Sequence, residues 1–333
     1  MDKRILVTGG AGFIGSNFIH YMFKKHPNYE IVNLDKLTYA GDLHNLVDIT
    51  GHKKNYKFIR GDIANKELVR YILETFRIQY IVHFAAMTHV DKSIKDPDVF
   101  VHDNIVGTHR LLEVAKQYGG IRKIVTISSD EVYGSLPLES KEKFTEESPL
   151  NPNNPYSASK AAAEFLARSY FITFKMPILI TRSSNNFGPR QHPEKLIPLV
   201  ITNALKGEPI PVYGDGQNVR DWLYVEDNCN AIDLVLHKGR VGEVYNISAG
   251  NELTNMEVIT KVLMILATIS KTDYSRYKRL ITFVKDRPGH DKKYSLDSDK
   301  IKMELGWVNS CNSSPNGFIN ALYKTVLYYF YKE

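Results

Sequence analysis

An apolar run that stops on glycines constrains this chain more than any other feature. Residues 5–15 read ILVTGGAGFIG, so a segment with strand character leads into a tight turn and then a helical pattern. Gly10, Gly12 and Gly15 stand in G-x-G-x-x-G spacing, and Gly9, Gly12 and Gly15 in the looser G-x-x-G-x-x-G. Glycines leave room where the turn is tight and where a diphosphate touches backbone. The helix behind them offers unpaired N–H groups and a positive dipole end. A bare turn of this kind can exist without a ligand, but Asp35 closes the next apolar run. A carboxylate there accepts hydrogen bonds from both ribose hydroxyls and repels a 2′-phosphate, which favours NAD over NADP. Lys36 beside it weakens that preference. Asp62 and Ile63, after the third run, are placed to border the adenine.

The rest of the first half repeats the same unit. Residues 4–8, 30–34, 56–59, 80–84, 123–128 and 177–182 read as strands, mostly Ile, Val, Leu or Phe at successive positions, as in parallel strands covered on both faces. Residues 13–25, 66–75, 104–118 and 157–174 read as helices between them. The expected fold is α/β, a doubly wound parallel (Rossmann) sheet. After residue 186 prolines punctuate shorter elements: helices near 196–206, 225–237 and 256–269, a strand at 244–247, and a polar stretch at 270–279 with no clear period. The expected division is a cofactor domain over 1–185, with room for later segments to return to it, and a smaller α/β lobe over 186–333.

The 333 residues carry a net charge of +6. The basic residues are spread out, with only short pairs such as Lys53-Lys54 and Lys292-Lys293, so the excess suits a small anionic ligand better than nucleic acid. Cys229 and Cys311 have neither CxxC spacing nor clustered histidines, so no metal site or disulfide framework is expected, and two free thiols suit a reducing cytoplasm. The start, Met1-Asp2-Lys3-Arg4 before a short apolar run, is too short for a secretion signal, and no stretch reaches the length of a membrane span.

Residues 156–160 read YSASK, which puts Tyr156 and Lys160 on one helical face. A phenol near pKa 10 is a poor base at neutral pH, and a neighbouring ammonium is expected to lower that value. Such a pair could take a hydroxyl proton while hydride leaves the same carbon. Residues 128–134 read SSDEVYG at the end of a strand, the edge where ligands sit. Ser129 can donate to a reacting oxygen. Asp130 and Glu131 are adjacent carboxylic residues there; a helix cap or solvated loop is the ordinary alternative for such a pair.

These residues carry a resemblance. TGGAGFIG, LDKLTYAG, HFAAMTHVDKSI, SSDEVYG, NPYSASKAA, SNNFGPRQHPEKLIP, PVYGDGQNVRDWLYVED, GEVYNI and FVKDRPGHD span nearly the whole chain. In these segments it is similar to the extended short-chain dehydrogenase/reductase family and, within it, closely resembles the bacterial dTDP-glucose 4,6-dehydratases. The adjacent Asp130-Glu131 pair separates that group from related epimerases and decarboxylases. The resemblance implies that Phe13 and Ile14 touch the cofactor diphosphate, and that Asp35, Lys36, Leu37 and Thr38 surround its adenosine ribose. Phe84, Ala85, Ala86 and Thr88 would line the nicotinamide side, with Asn186 also on the cofactor. Thr88, Asn185, Lys195, Leu196, Val200, Pro211, Tyr213, Arg220, Asn255, Arg287 and His290 would hold the substrate. Arg220 and Arg287 suit phosphate oxygens, which guanidinium binds in a bidentate way. Ser129 stands where the family usually has threonine, Met87 replaces a more polar residue, and Arg190-Gln191 replaces a more aromatic pair.

The resemblance also implies roles. Tyr156, helped by Lys160 and Ser129, would take the C4 hydroxyl proton, Glu131 the C5 proton, and protonated Asp130 would release the C6 hydroxyl. Two neighbouring carboxyls can hold opposite protonation states when their surroundings differ. The expected substrate is dTDP-glucose, the cofactor NAD, and the assembly a homodimer paired through residues 104–118 and 157–174. UDP-glucose, an epimerase or decarboxylase activity, and a non-catalytic NAD-binding role remain as alternatives.

Overall fold

The computed structural model describes residues 3–51 and 54–332; Met1, Asp2 and Lys53 named above lie outside the described residues. The repeated apolar runs become β1 (Arg4–Thr8), α1 (Phe13–Lys25), β2 (Glu30–Asp35), β3 (Tyr56–Arg60), α2 (Lys66–Thr75) and β4 (Tyr80–His83). A helical stretch follows, α3 (Val90–Lys95), α4 (Pro97–Phe100) and α5 (Gly107–Tyr118), then β5 (Lys123–Ser129), α6 (Pro155–Phe174) and β6 (Ile178–Ser183). The six strands pair in parallel. Alternate residues serve opposite faces: Ile5, Val7, Val82 and Val125 pack toward α1, while Leu6, Val32, Ile81 and Ile124 pack with Leu111 of α5 and Ile72 of α2. That two-sided burial is why the strands read as continuous apolar runs.

Two expected boundaries shift. Helix α6 begins at Pro155, because the Asn154 side chain accepts from the Ser157 N–H while the Ser157 hydroxyl reaches back to the Asn154 N–H. The helix expected over 104–118 is the end of a longer helical run that starts at Pro97 and winds as wider π turns over Val101–Val106. Asn104 lies in that wide segment. Its side chain accepts from the Met87 N–H and donates to the Met87 carbonyl and the Ser159 hydroxyl.

Past residue 184 come β7 (Asn185–Phe187), α7 (Leu196–Lys206), β8 (Ile210–Tyr213), β9 (Val219–Tyr224), α8 (Val225–Lys238) and β10 (Val244–Ile247). The remaining elements are β11 (Glu252–Thr254), α9 (Asn255–Ser270), α10 (Tyr274–Lys278), β12 (Ile281–Val284), α11 (Asp299–Leu305) and α12 (Gly317–Phe330). Two elements past residue 186 return to the first unit. Strand β10 pairs in parallel with β6, extending the sheet to seven strands in the order β3-β2-β1-β4-β5-β6-β10, and α8 packs beside α1. The smaller lobe keeps a three-stranded sheet, β7-β9-β11, the pair β8-β12, and the packed helices α7, α9 and α12. The polar stretch at 270–279 holds α10, capped by Asp273.

Candidate active site

One cleft runs across the C-terminal ends of the main strands. It crosses the ends of β1 and β4, where the order of connections reverses and ligands of open α/β sheets sit. At one end the glycine turn forms its floor. Gly9 has φ +71, in the left-handed region, and a Cβ on Gly15 would lie 2.4 Å from the Gly9 carbonyl oxygen, so neither position accepts a side chain without moving backbone. Gly12, Phe13 and Ile14 line the same floor, and α1 starts there with no side-chain cap, leaving its first N–H groups facing the cleft.

Asp35 is buried and its carboxylate accepts from the backbone N–H groups of Ala11 (2.9 Å) and Leu37 (2.8 Å). Burial raises its pKa and those two N–H groups oppose the rise. Leu37, at φ +55, therefore acts through its N–H on Asp35. Lys36 is drawn off the ribose edge: its ammonium lies 2.8 Å from Asp62 and 3.2 Å from Asp103. Its charge is answered there, so it takes nothing from the preference that Asp35 sets. Thr38, Ile63, Phe84, Ala85 and Ala86 continue the wall.

The chemistry-bearing residues meet at the other end. Thr88, Ser129, Asp130, Glu131, Tyr156, Lys160, Asn185, Asn186 and Lys195 all line the cleft. Ser129 ends β5; its hydroxyl donates to Asp130 (3.1 Å), accepts from the Glu131 N–H (3.3 Å) and lies close enough to Tyr156 to favour its phenolate. Asp130 is buried, and burial together with the charge of Glu131 pushes its pKa up to about 8. It is therefore a protonated acid at neutral pH. Its Oδ2 has no hydrogen-bond partner. Glu131 is partly exposed and accepts a long hydrogen bond from Asn154 (3.4 Å).

The expected depression of Tyr156 is not found. Burial and the Glu131 charge raise its pKa above that of free phenol. The Lys160 ammonium donates to the Ile127 carbonyl, and burial lowers its own pKa to about 8. Helical spacing does put both residues on one face, but Lys160 turns to the strand. Tyr156 is held by packing against Phe100, Val90 and Met87, which gives Met87 an apolar role beside the phenol.

The expected substrate residues divide into two groups. Lys195 donates to the Thr88 carbonyl (2.9 Å) at the cleft wall. Arg220 is buried and donates to the carbonyls of Val219, Asp291 and Lys292, and its charge opposes the rise in Asp130. Tyr213, Arg287 and His290 cluster beyond the rim, with Tyr213 donating to Asp91 and His290 bonded to Asp286. Pro211 and Asn255 are partly buried in the same lobe, and Leu196 packs on its core. Val200 is fully buried in that core, where its side chain packs and does not reach the cleft.

Sequence reading gave no role to several wall residues: Ser128, Ser184, His192 and Glu194. Glu194 gathers Lys92 (3.2 Å), His89 (3.5 Å) and His192 (3.7 Å) around one carboxylate oxygen. The run GPRQHPEK held the signal, with Arg190, Gln191 and His192 in a row and Glu194 next to the Lys195 that was noted. Arg190, at φ +69, ties this loop to Asn17 of α1, and Gln191 donates to the Asn186 carbonyl.

Buried polar atoms without partners concentrate here. Ser128, Asp130, Ser184, Asn185, Gln191 and Glu194 each present one to the cleft. Buried polar groups normally find partners, so this wall is built for a ligand that supplies many. With the glycine floor, the uncapped helix and the Asp35 carboxylate, the residues present fit a dinucleotide at one end and a polyhydroxylated substrate at the other.

The fold and site thus define a dinucleotide-binding enzyme whose cleft joins a Tyr/Lys/Ser set to two adjacent carboxylic residues. The chain belongs to the GDP-mannose 4,6 dehydratase family, whose model matches residues 6–314. It is 47% identical to the dTDP-glucose 4,6-dehydratase of Haemophilus influenzae over 99% of this chain and 98% of that protein. The crystal structure of dTDP-glucose 4,6-dehydratase from Bacillus anthracis in complex with NAD superposes with a TM-score of 0.88 at 48% identity, covering 99% and 97% of the two chains. The Streptomyces venezuelae dTDP-glucose 4,6-dehydratase, solved with NAD and dTDP bound, gives 0.89 at 44% identity and 98% and 97% coverage.

Proposed function

We infer that this chain is an NAD-dependent dehydratase that converts dTDP-glucose to its 4-keto-6-deoxy derivative. The observation that carries the reading is a protonated Asp130 adjoining Glu131, with both beside the hydroxyls of Ser129 and Tyr156. An epimerase needs no acid to expel a C6 hydroxyl, and a non-catalytic scaffold needs neither carboxyl at the strand end.

Bound NAD supplies a hydride acceptor that later gives the hydride back, so the cofactor ends oxidised. Gly9, Gly12, Phe13, Ile14, Gly15, Asp35 and Thr38 would hold its adenosine and diphosphate, with Asp62 and Ile63 at the adenine and Phe84 to Thr88, Lys160 and Asn186 at the nicotinamide end. Tyr156 receives the proton of the C4 hydroxyl while Ser129 steadies that oxygen. The C4 ketone acidifies the C5 proton, which Glu131 takes. Asp130 then gives its proton to the C6 hydroxyl, which leaves as water. Glu131 returns its proton to C5 as C6 is reduced. Burial keeps Tyr156 neutral in the chain alone, so its phenol proton must leave before it can take that of the C4 hydroxyl, and the positive charge that the oxidised cofactor brings to the cleft favours the phenolate.

The lobe beyond residue 186 would hold the nucleotide, with Arg220 and Arg287 near the diphosphate and Asn185, Asn255, Tyr213 and His290 around sugar and base. A homodimer fits the exposed face of α6, where Phe165 and Ile172 stand seven residues apart on one side and solvent reaches both. No described helix is long and apolar enough to cross a membrane, and both cysteines are free and buried, which suits the cytoplasm.

Mass spectrometry of product from dTDP-glucose and UDP-glucose, each with deuterium at C4, tests the reading. Loss of one water with deuterium delivered to C6 is expected, faster for dTDP-glucose. Folded, NAD-loaded protein that releases no water from either substrate would overturn it.

A further inference from the structure

At the far end of α1 from the cleft, two histidines and a carboxylate converge. The helix rises about 20 Å from the glycine turn to this end. His26 follows the last residue of α1, and Asp233 and His237 lie one turn apart on α8. The His26 Nε2 is 3.0 Å from Asp233 Oδ1, and the His237 Nδ1 is 2.9 Å from the same oxygen. All three ligand atoms lie within 4.8 Å of one another. In a tetrahedral zinc site with bonds near 2.1 Å, neighbouring donor atoms are about 3.4 Å apart. The two measured separations are within about half an ångström of that, so an ion needs only a slight spreading of side chains.

The surroundings are those of metal ligands. The outer nitrogen of His237 meets the Tyr29 hydroxyl at 3.0 Å, which fixes the ring, and its Nδ1 lies 2.8 Å from the Asp233 backbone carbonyl as well as beside the carboxylate, a hydrogen bond that an ion would displace. Lys25 holds the other Asp233 oxygen, Oδ2, at 2.9 Å, so Oδ1 stays clear of an ammonium. The Asp233 side chain is 3% exposed, whereas the imidazoles are about a fifth exposed, which leaves an open side for a fourth ligand from solvent. A second cluster, Asp62, His102 and Asp103, lacks this property. There the oxygen that His102 faces already binds the Lys36 ammonium.

We propose that His26, Asp233 and His237 bind one Zn2+ per chain, which clamps α1 to α8 behind the sheet and takes no part in the reaction. Two imidazoles and one carboxylate suit a borderline divalent ion, and zinc needs no redox partner.

The test uses full-length protein without a histidine tag, stripped with a chelator and dialysed. Zinc titrated against a chromophoric chelator is expected to bind at one ion per chain and to raise Tm, since an ion that binds only the folded state stabilises it. His26→Ala and His237→Ala are each expected to lose both effects while keeping turnover. Cobalt added to the unaltered protein checks the site without relying on any variant folding, and should give the visible absorption of a tetrahedral ion. Absence of a stoichiometric site in the unaltered chain, or variants that still bind one zinc and still gain Tm, would overturn the proposal.

Discussion

Replacing Asp130 with asparagine should remove activity and add stability together. The side chain is buried and its pKa stands at about 8, against 3.8 for a free carboxyl. Between those values the folded chain keeps a proton that the unfolded chain has lost. Folding therefore binds protons, and stability declines as pH rises across that window. At 1.36 kcal/mol per pH unit, the decline from pH 3.8 to 7 is about 4 kcal/mol. The substituted amide cannot ionise, so the variant should gain about that much on the wild type between pH 4 and pH 7. Asparagine can still accept from Ser129, and its amide fills the place of the unpartnered oxygen. Without the acid, water loss should slow by about 10²–10⁴-fold. In the wild type, dehydration should fall as pH rises through about 8, when the acid loses its proton. Denaturant midpoints of both proteins at pH 4 and pH 7 measure the first effect, and product formation by mass spectrometry measures the second. A variant that dehydrates within tenfold of wild type, or whose stability difference does not change between the two pH values, would refute a protonated Asp130.

Tyr156→Phe keeps the ring against Phe100 and Met87 but removes the proton acceptor. Turnover should drop by about 10²–10⁴-fold, with no transient reduced nicotinamide in a single turnover; a loss below tenfold argues against its role. Gly15→Ala drives a Cβ into the Gly9 carbonyl, so Tm should fall by the equivalent of about 1–3 kcal/mol and NAD should be lost on gel filtration. Full NAD content in that variant would contradict the floor described for the cleft. Phe165→Glu with Ile172→Glu should leave a monomer by light scattering with the fold intact; an unchanged mass would move the dimer interface elsewhere.

What the sequence revealed depended on how local the cause was. The strand, glycines and helix of residues 4–25 are fixed by neighbours in the chain, and their bounds match the structure. Asp130 and Glu131 were legible because adjacency and a strand end suffice to place them. Residues 244–247 read as a strand from their own pattern, but which sheet they join is not local: the open edge of β6 makes them the seventh strand. The wide turns at 101–106 stand where Asn104 holds Met87 and Ser159, contacts 17 and 55 residues away in sequence. Spacing of four correctly aligned Tyr156 with Lys160, but the direction of the ammonium was settled by the Ile127 carbonyl on a strand that packs against the helix.

Strand β10 also says something about inheritance. The chain leaves the main sheet after β6, assembles much of the smaller lobe, and comes back to lie against β6 itself, Val244 beside Ile180 and Ile247 beside Ser183. The excursion is thus a loop with both ends stitched into one sheet. A chain cut near residue 186 would lack the outermost strand and the α8 cover, while the severed piece would carry a strand and a helix with nothing to rest on. The two halves of the cleft cannot be exchanged as cassettes between proteins by a single crossover there, and a change of sugar or base must come from substitutions in the smaller lobe on both sides of β10.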